Sequence, residues 1–315
     1  MGGLDLKTLI PAVVLPMTAD FEIDEPELRR YLGWVKEQGI RVVAVNADTG
    51  EGPHLSREER RRVIEIAVDV FAKSGDVITG LFAGATREAV TLAEDARQAG
   101  AAGLLMFPLP VFRERLGNER VIYEYHRAIA DAVDLSMVLF HLQPALGGAE
   151  YSPELLTRLV ELPNACALKE ASFDVRSFTQ VAALLRSHSK KITLLTGNDN
   201  FIMQSFLLGA QGALLGFGTI AVREQLDMMA AVQRRDYKEA WRLHEIVQPL
   251  ADAIFAAPVR DYRARAKEAL RLQGVLKLSF VRPPLLPLEE IERERVREAL
   301  ERAGLLAAVA PRRSS

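Results

Sequence analysis

Lys169 closes the otherwise apolar run Cys166-Ala167-Leu168, and a lysine in such a place is a candidate nucleophile. Burial disfavours the ammonium form, lowers the pKa and leaves more neutral amine to attack a carbonyl carbon. That attack gives an imine, an electron sink for chemistry at the neighbouring carbon. Lys169 could instead pair with Glu170 and face water, and spacing alone leaves both readings open. Asp48-Thr49-Gly50 follows another apolar run, Val42 to Asn46. A tight turn there can aim backbone N–H groups at an anion such as a substrate carboxylate, although a purely structural turn fits the tripeptide as well. His141 ends the run Met137 to His141, where it can shuttle protons near neutral pH or serve as a hydrogen-bonded structural residue. Phe140, Gly197, Asp199 and Gly216 hold equivalent places beside other apolar runs and are expected to line a substrate pocket.

His54, His126, His188 and His244 fall at unrelated spacing, with no HxH or HExxH among them, so no metal site is expected. Neither GxGxxG nor a P-loop is present to anchor a nucleotide. The glycines between Gly212 and Gly218 have no adjoining basic residue, which favours packing over phosphate binding. The expected chemistry therefore needs no cofactor beyond a covalent imine on lysine.

These residues must be held by a scaffold, and the hydrophobic pattern supplies one. Short apolar runs alternate with amphipathic stretches: Ile10 to Pro16 reads as a strand, and Asp24 to Gln38 as a helix with an Asp cap and Pro26 in its first turn. Strands follow that end at Asn46, Phe82, Phe107, His141, Lys169 and Thr196, then one from Ala213 to Phe217. Each is followed by a helical pattern, the last from Arg223 to Gln233. Eight strand-helix units predict an α/β fold, a (β/α)8 TIM barrel over about residues 1–234, with its active site at the strand C-termini. Residues 235–310 read as a C-terminal helical appendix of three amphipathic helices packed on the barrel, and 311–315 as a disordered tail.

Bulk composition narrows the function classes. The 315 residues carry a net charge of −2 with both signs interspersed, so neither nucleic acid nor a membrane surface is an expected partner. The longest apolar stretch, Ala99 to Phe112, is broken by Pro108 and Pro110 and is too short to span a bilayer. One cysteine, Cys166, excludes an intrachain disulfide and suits a reducing compartment; with no signal-peptide pattern, a cytoplasmic location is expected.

The segments PAVVLPMTADFEID, DTGEGPHLSREER, GAAGLLMFPLP, ALKEASFD, LLTGNDN and PLLPLEE resemble the dihydrodipicolinate synthase and N-acetylneuraminate lyase family of class I Schiff-base aldolases. The resemblance covers nearly the whole chain. It implies that Lys169 forms an imine with pyruvate or a longer 2-keto acid whose carboxylate sits on N–H groups around Thr49 and Gly50. It also implies a homo-oligomer, a tetramer or dimer.

Three departures each remove a hydroxyl. Phe140 stands where the family usually has a proton-relaying tyrosine, Leu109 or Pro110 where a second tyrosine crosses a subunit contact, and Asp48 where a hydroxyl residue precedes Thr49. Ala145-Leu146-Gly147-Gly148 also lacks the arginine that the synthases use on the aldehyde substrate's carboxylate. Losing that pair removes roughly 1.5–3 kcal/mol of binding, and losing the tyrosine about 10²–10⁴ in rate. The expectation is a lyase, aldolase or dehydratase, other than a true dihydrodipicolinate synthase, with His141 or Asp48 taking over proton transfer. His141 can do so only if Phe140 points outward. Asp48 is expected to aim at the distal part of the substrate or to be protonated. The alternatives are a non-catalytic keto-acid-binding or regulatory homologue, and an unrelated barrel hydrolase using Asp48 and Glu51.

Overall fold

Successive side chains on a strand point to opposite faces, and here that alternation sorts the strand residues into two cores. One set, including Ile10, Val42, Ile78, Leu105, Val138, Phe140, Ala167, Leu195 and Leu214, packs together in the centre. The alternate set, including Leu9, Val43, Val77, Leu104, Leu139, Leu168, Leu194 and Leu215, packs outward against the helices. Burying each large aliphatic or aromatic side chain contributes about 1.5–3 kcal/mol, so both faces of every strand favour one closed layer inside a ring of helices.

The computed structural model describes residues 4–72, 74–113 and 119–306. The order is β1 (Leu9–Pro11), α1 (Glu25–Glu37), β2 (Val42–Val45), α2 (Arg57–Phe71), β3 (Asp76–Leu81), α3 (Thr86–Gln98), β4 (Gly103–Met106), α4 (Glu119–Ala132), β5 (Ser136–Leu142), α5 (Pro153–Val160), β6 (Ala165–Ala171), α6 (Val175–Ser187), β7 (Thr193–Thr196), α7 (Ile202–Leu207), β8 (Gly212–Leu215) and α8 (Val222–Gln233). All pairings are parallel, in the order β1-β8-β7-β6-β5-β4-β3-β2. A bridge between Ala12 and Ala44, with the Val13 N–H donating to the Ala44 carbonyl at 3.0 Å, closes the ring. This is a (β/α)8 barrel.

Three further helices follow: α9 (Tyr237–Ile254), α10 (Tyr262–Leu272) and α11 (Glu290–Arg302). The tail expected to be disordered, 311–315, lies outside the described residues.

Most strand limits differ from expectation by one or two residues, β8 for example spanning Gly212–Leu215 where Ala213 to Phe217 is expected. β1 stops at Pro11 instead of reaching Pro16, its continuation making only the Ala12 bridge. β6 runs two residues past Lys169, through Glu170 to Ala171. Local signals fix the helices well: Ser56 and Glu59 form a reciprocal capping box on α2, and Asp24 and Asp174 cap α1 and α6.

Candidate active site

Lys169 occupies an inward position of β6, in register with Phe140 of β5 and Leu195 of β7. Its neighbours two residues away, Ala167 and Ala171, belong to the central core, and Lys169 itself is 8% exposed. Burial pushes its amine down to about 8, against the pull of the Asp199 and Asp48 carboxylates, which favour the ammonium. Nζ lies 4.2 Å from the centroid of the Phe140 ring. Glu170 points the other way, accepting from the Asn198 side-chain amide at 2.7 Å and the Ser172 N–H at 3.2 Å, so it does not pair with Lys169.

A narrow cavity of about 40 Å³ brings Lys169 together with Asp48, Thr49, Gly197, Asp199, Gly216 and Tyr262. Asp199 is buried, its carboxylate accepts the Phe217 N–H at 3.0 Å, and burial raises it to about 7. The turn after β2 is pinned by the Glu51 N–H to the Asp48 carbonyl and the Gly52 N–H to the Ala47 carbonyl, each at 3.0 Å. Among the described residues the Thr49 and Gly50 N–H groups donate to no protein acceptor, which leaves them for an anion.

Two glycines here are spaces. A Cβ on Gly197 would lie 2.4 Å from Lys169 Cε, and one on Gly216 would lie 2.9 Å from the Phe255 ring and 3.1 Å from Thr49 Oγ1. They let the lysine and the aromatic wall approach, and both line the cavity.

His141 does not belong to this cavity. Phe140 points inward, so the next residue faces outward between β5 and the helices. There Nδ1 accepts the Tyr151 N–H at 3.2 Å, Nε2 lies 3.5 Å from Ser177 Oγ, and burial lowers the ring to about 4. The expectation that His141 relays protons to the lysine site is corrected on that geometry. Asp48 lines the cavity and is held there by two partners. Arg263 pairs with Oδ1, and the Tyr262 hydroxyl donates to Oδ2 at 2.8 Å.

Tyr262 and Arg263 were invisible to motif reading because they arrive from α10, more than 200 residues away. α10 buries Arg265 and Lys267 among its alanines, and a buried cation requires a buried anion. Lys267 meets it in Glu51, both side chains being wholly buried, and also donates to the Phe280 carbonyl at 2.6 Å. Glu51 is therefore a brace for the turn, which removes it from the hydrolase alternative.

A family model for the dihydrodipicolinate synthetase family matches residues 5–303. The chain belongs to that family. It is 33% identical over 297 residues to a 4-hydroxy-tetrahydrodipicolinate synthase of Acidiphilium cryptum, covering 94% of this chain and 98% of that protein. A synthase of the same name from Syntrophus aciditrophicus is 30% identical, with 95% and 99% covered. Among solved structures, the chloride-inhibited dihydrodipicolinate synthase of Acinetobacter baumannii, complexed with pyruvate, aligns with a TM-score of 0.84 at 30% identity, over 96% of this chain and 100% of that one. Dihydrodipicolinate synthase DapA-2 of Bacillus anthracis aligns with a TM-score of 0.85 at 26% identity, over 95% and 98%.

The inward-facing residues at the end of β5 are apolar. Phe140 packs edge-on against Phe107, with ring centroids 5.0 Å apart. Leu109 is buried in the outer core, and Leu146 puts an aliphatic side chain on the cavity wall. Among the described residues no group of three His, Cys, Asp or Glu side chains could hold a metal ion, and no helix is long and apolar enough to cross a membrane.

Proposed function

We propose that this protein is a lyase of the class I aldolase type that joins pyruvate or a longer 2-keto acid to Lys169 as an imine. The observation that carries this is a buried lysine with a lowered pKa in one small cavity with Thr49, whose N–H, like that of the adjoining Gly50, has no protein acceptor among the described residues. The keto carbon meets the amine while the adjoining carboxylate lies on Thr49 and Gly50. A protein 30% identical to this one was solved with pyruvate, which supports the choice of acid.

The proposal extends to the second substrate. Among the described lining residues, those beside β5 are Leu142 and Leu146, which bring neither a cation nor a hydroxyl, so we read the partner carbonyl compound as one without a carboxylate there. On this reading the reaction differs from that of the 4-hydroxy-tetrahydrodipicolinate synthases. Self-association, inferred from the family resemblance, belongs to the same proposal, and sedimentation tests it.

Borohydride reduction in the presence of pyruvate tests the imine: mass spectrometry should place the reduced adduct on Lys169. No adduct with pyruvate or a panel of longer 2-keto acids would remove the reading. Phe140 favours a second reading, a keto-acid-binding homologue that forms the imine without turning over, because its ring offers Lys169 no proton. Multiple turnover on any acceptor excludes it.

A further inference from the structure

We propose that the Tyr262 hydroxyl, backed by Asp48, is the proton carrier of the imine site, replacing from α10 the hydroxyl that Phe140 lacks on β5. The inference rests on the imine reading above. Tyr262 lines the same cavity as Lys169, and its hydroxyl lies 2.8 Å from Asp48 Oδ2 and 3.3 Å from Thr49 Oγ1. A carboxylate bound at the Thr49 and Gly50 N–H groups puts its carbon beside Thr49. The imine carbon is one bond further on, tied to Lys169 Nζ, and the carbon next to it is two bonds from the carboxylate, within the small cavity that the Tyr262 hydroxyl also lines.

The ring is held for this task. It stacks on Phe255 with centroids 4.6 Å apart and planes 17° apart, and Gly216 leaves room for both rings. Arg263 grips Asp48 through its side chain and donates to the Asp48 carbonyl at 2.9 Å, so the acceptor of the tyrosine proton is fixed as well. Burial and the neighbouring Asp48 charge raise Tyr262 well above the ordinary phenol range, so it stays protonated and works as a shuttle.

The step balances as follows. The C–H bond next to the imine carbon breaks, its electron pair forms the enamine double bond, and the C=N π pair moves to nitrogen. The released proton goes to the Tyr262 oxygen as the tyrosine's own proton passes to Asp48 Oδ2. The reverse transfer protonates the product, and no further co-reactant is required.

Exchange of the pyruvate methyl protons with solvent deuterium, followed by NMR, reads this step directly. In Tyr262→Phe the stacked ring remains, the borohydride adduct on Lys169 should still form, and exchange should fall by about 10²–10⁴. Asp48→Asn should lose exchange similarly, with the adduct retained. Adding Phe140→Tyr to Tyr262→Phe should restore part of it. Unchanged exchange in Tyr262→Phe overturns the proposal, as does loss of adduct and exchange together, which would make the residue a binding element. An adduct without exchange in the unsubstituted protein also overturns it. Absence of any adduct in the unsubstituted protein overturns the imine reading itself, a distinguishable result.

Discussion

The Phe140 ring lies 4.2 Å beneath Lys169 Nζ, so the amine rests on an aromatic face. A cation over such a face gains about 0.5–2 kcal/mol, which favours the ammonium. Burial opposes it and prevails, leaving the amine near 8. The same ring that stabilises the resting ammonium helps keep water from it.

A first prediction follows from that balance. Because Lys169 releases its proton near 8 and an ordinary lysine near 10.5, rapid-quench trapping with pyruvate should accelerate as pH rises toward about 8 and level off above it. Asp199 favours the ammonium, so Asp199→Asn should move the midpoint to lower pH. A midpoint near 10.5, or an upward move in the variant, contradicts the assignment.

Gly197→Ala should displace the nucleophile with little damage to the barrel. The added carbon would sit 2.4 Å from Lys169 Cε and 2.8 Å from Ala171 Cβ. A misplacement of about 1 Å costs roughly 10² in rate. Adduct formation should slow by that order while circular dichroism stays unchanged; an unaffected rate would show that the lysine has slack.

His141→Leu separates the outward histidine from the chemistry. The Tyr151 N–H loses its acceptor, at a cost of roughly 1–3 kcal/mol visible in denaturant unfolding. Imine trapping and methyl exchange should stay within about twofold, and a large loss of either would restore His141 to the site.

Lys267→Met leaves Glu51 buried without its cation. Breaking such a pair costs about 3–5 kcal/mol, which thermal denaturation should register as a drop of several degrees or more. Adding Glu51→Gln should recover much of the loss. A single variant as stable as the parent would show that Lys267 does not brace the turn.

Most of the barrel was legible because hydrophobic period and caps agree: α1 lies within Asp24 to Gln38 and α8 ends at Gln233, where the sequence pattern puts them. β6 looked finished at Lys169 because Glu170 breaks the apolar run. Its charge is accommodated on the outer face by Asn198, a partner from the next strand's end that no local pattern reveals. The facing of His141 was decidable in principle, since an apolar Phe140 and the inward Lys169 share one register level. Tyr262 was not, because its partner Asp48 stands 214 residues earlier and only the folded chain joins them.

That separation has a consequence for how the protein comes into being on the ribosome. A nascent chain that has emerged as far as residue 258 already carries every barrel strand, Lys169 included, yet it has neither Tyr262 nor the cations that hold Asp48 and Glu51. The reactive amine is made early and its supporting groups late. Chains terminated before α10 would thus contain Lys169 without the finished cavity, and synthesis of α10 is the event that completes its wall.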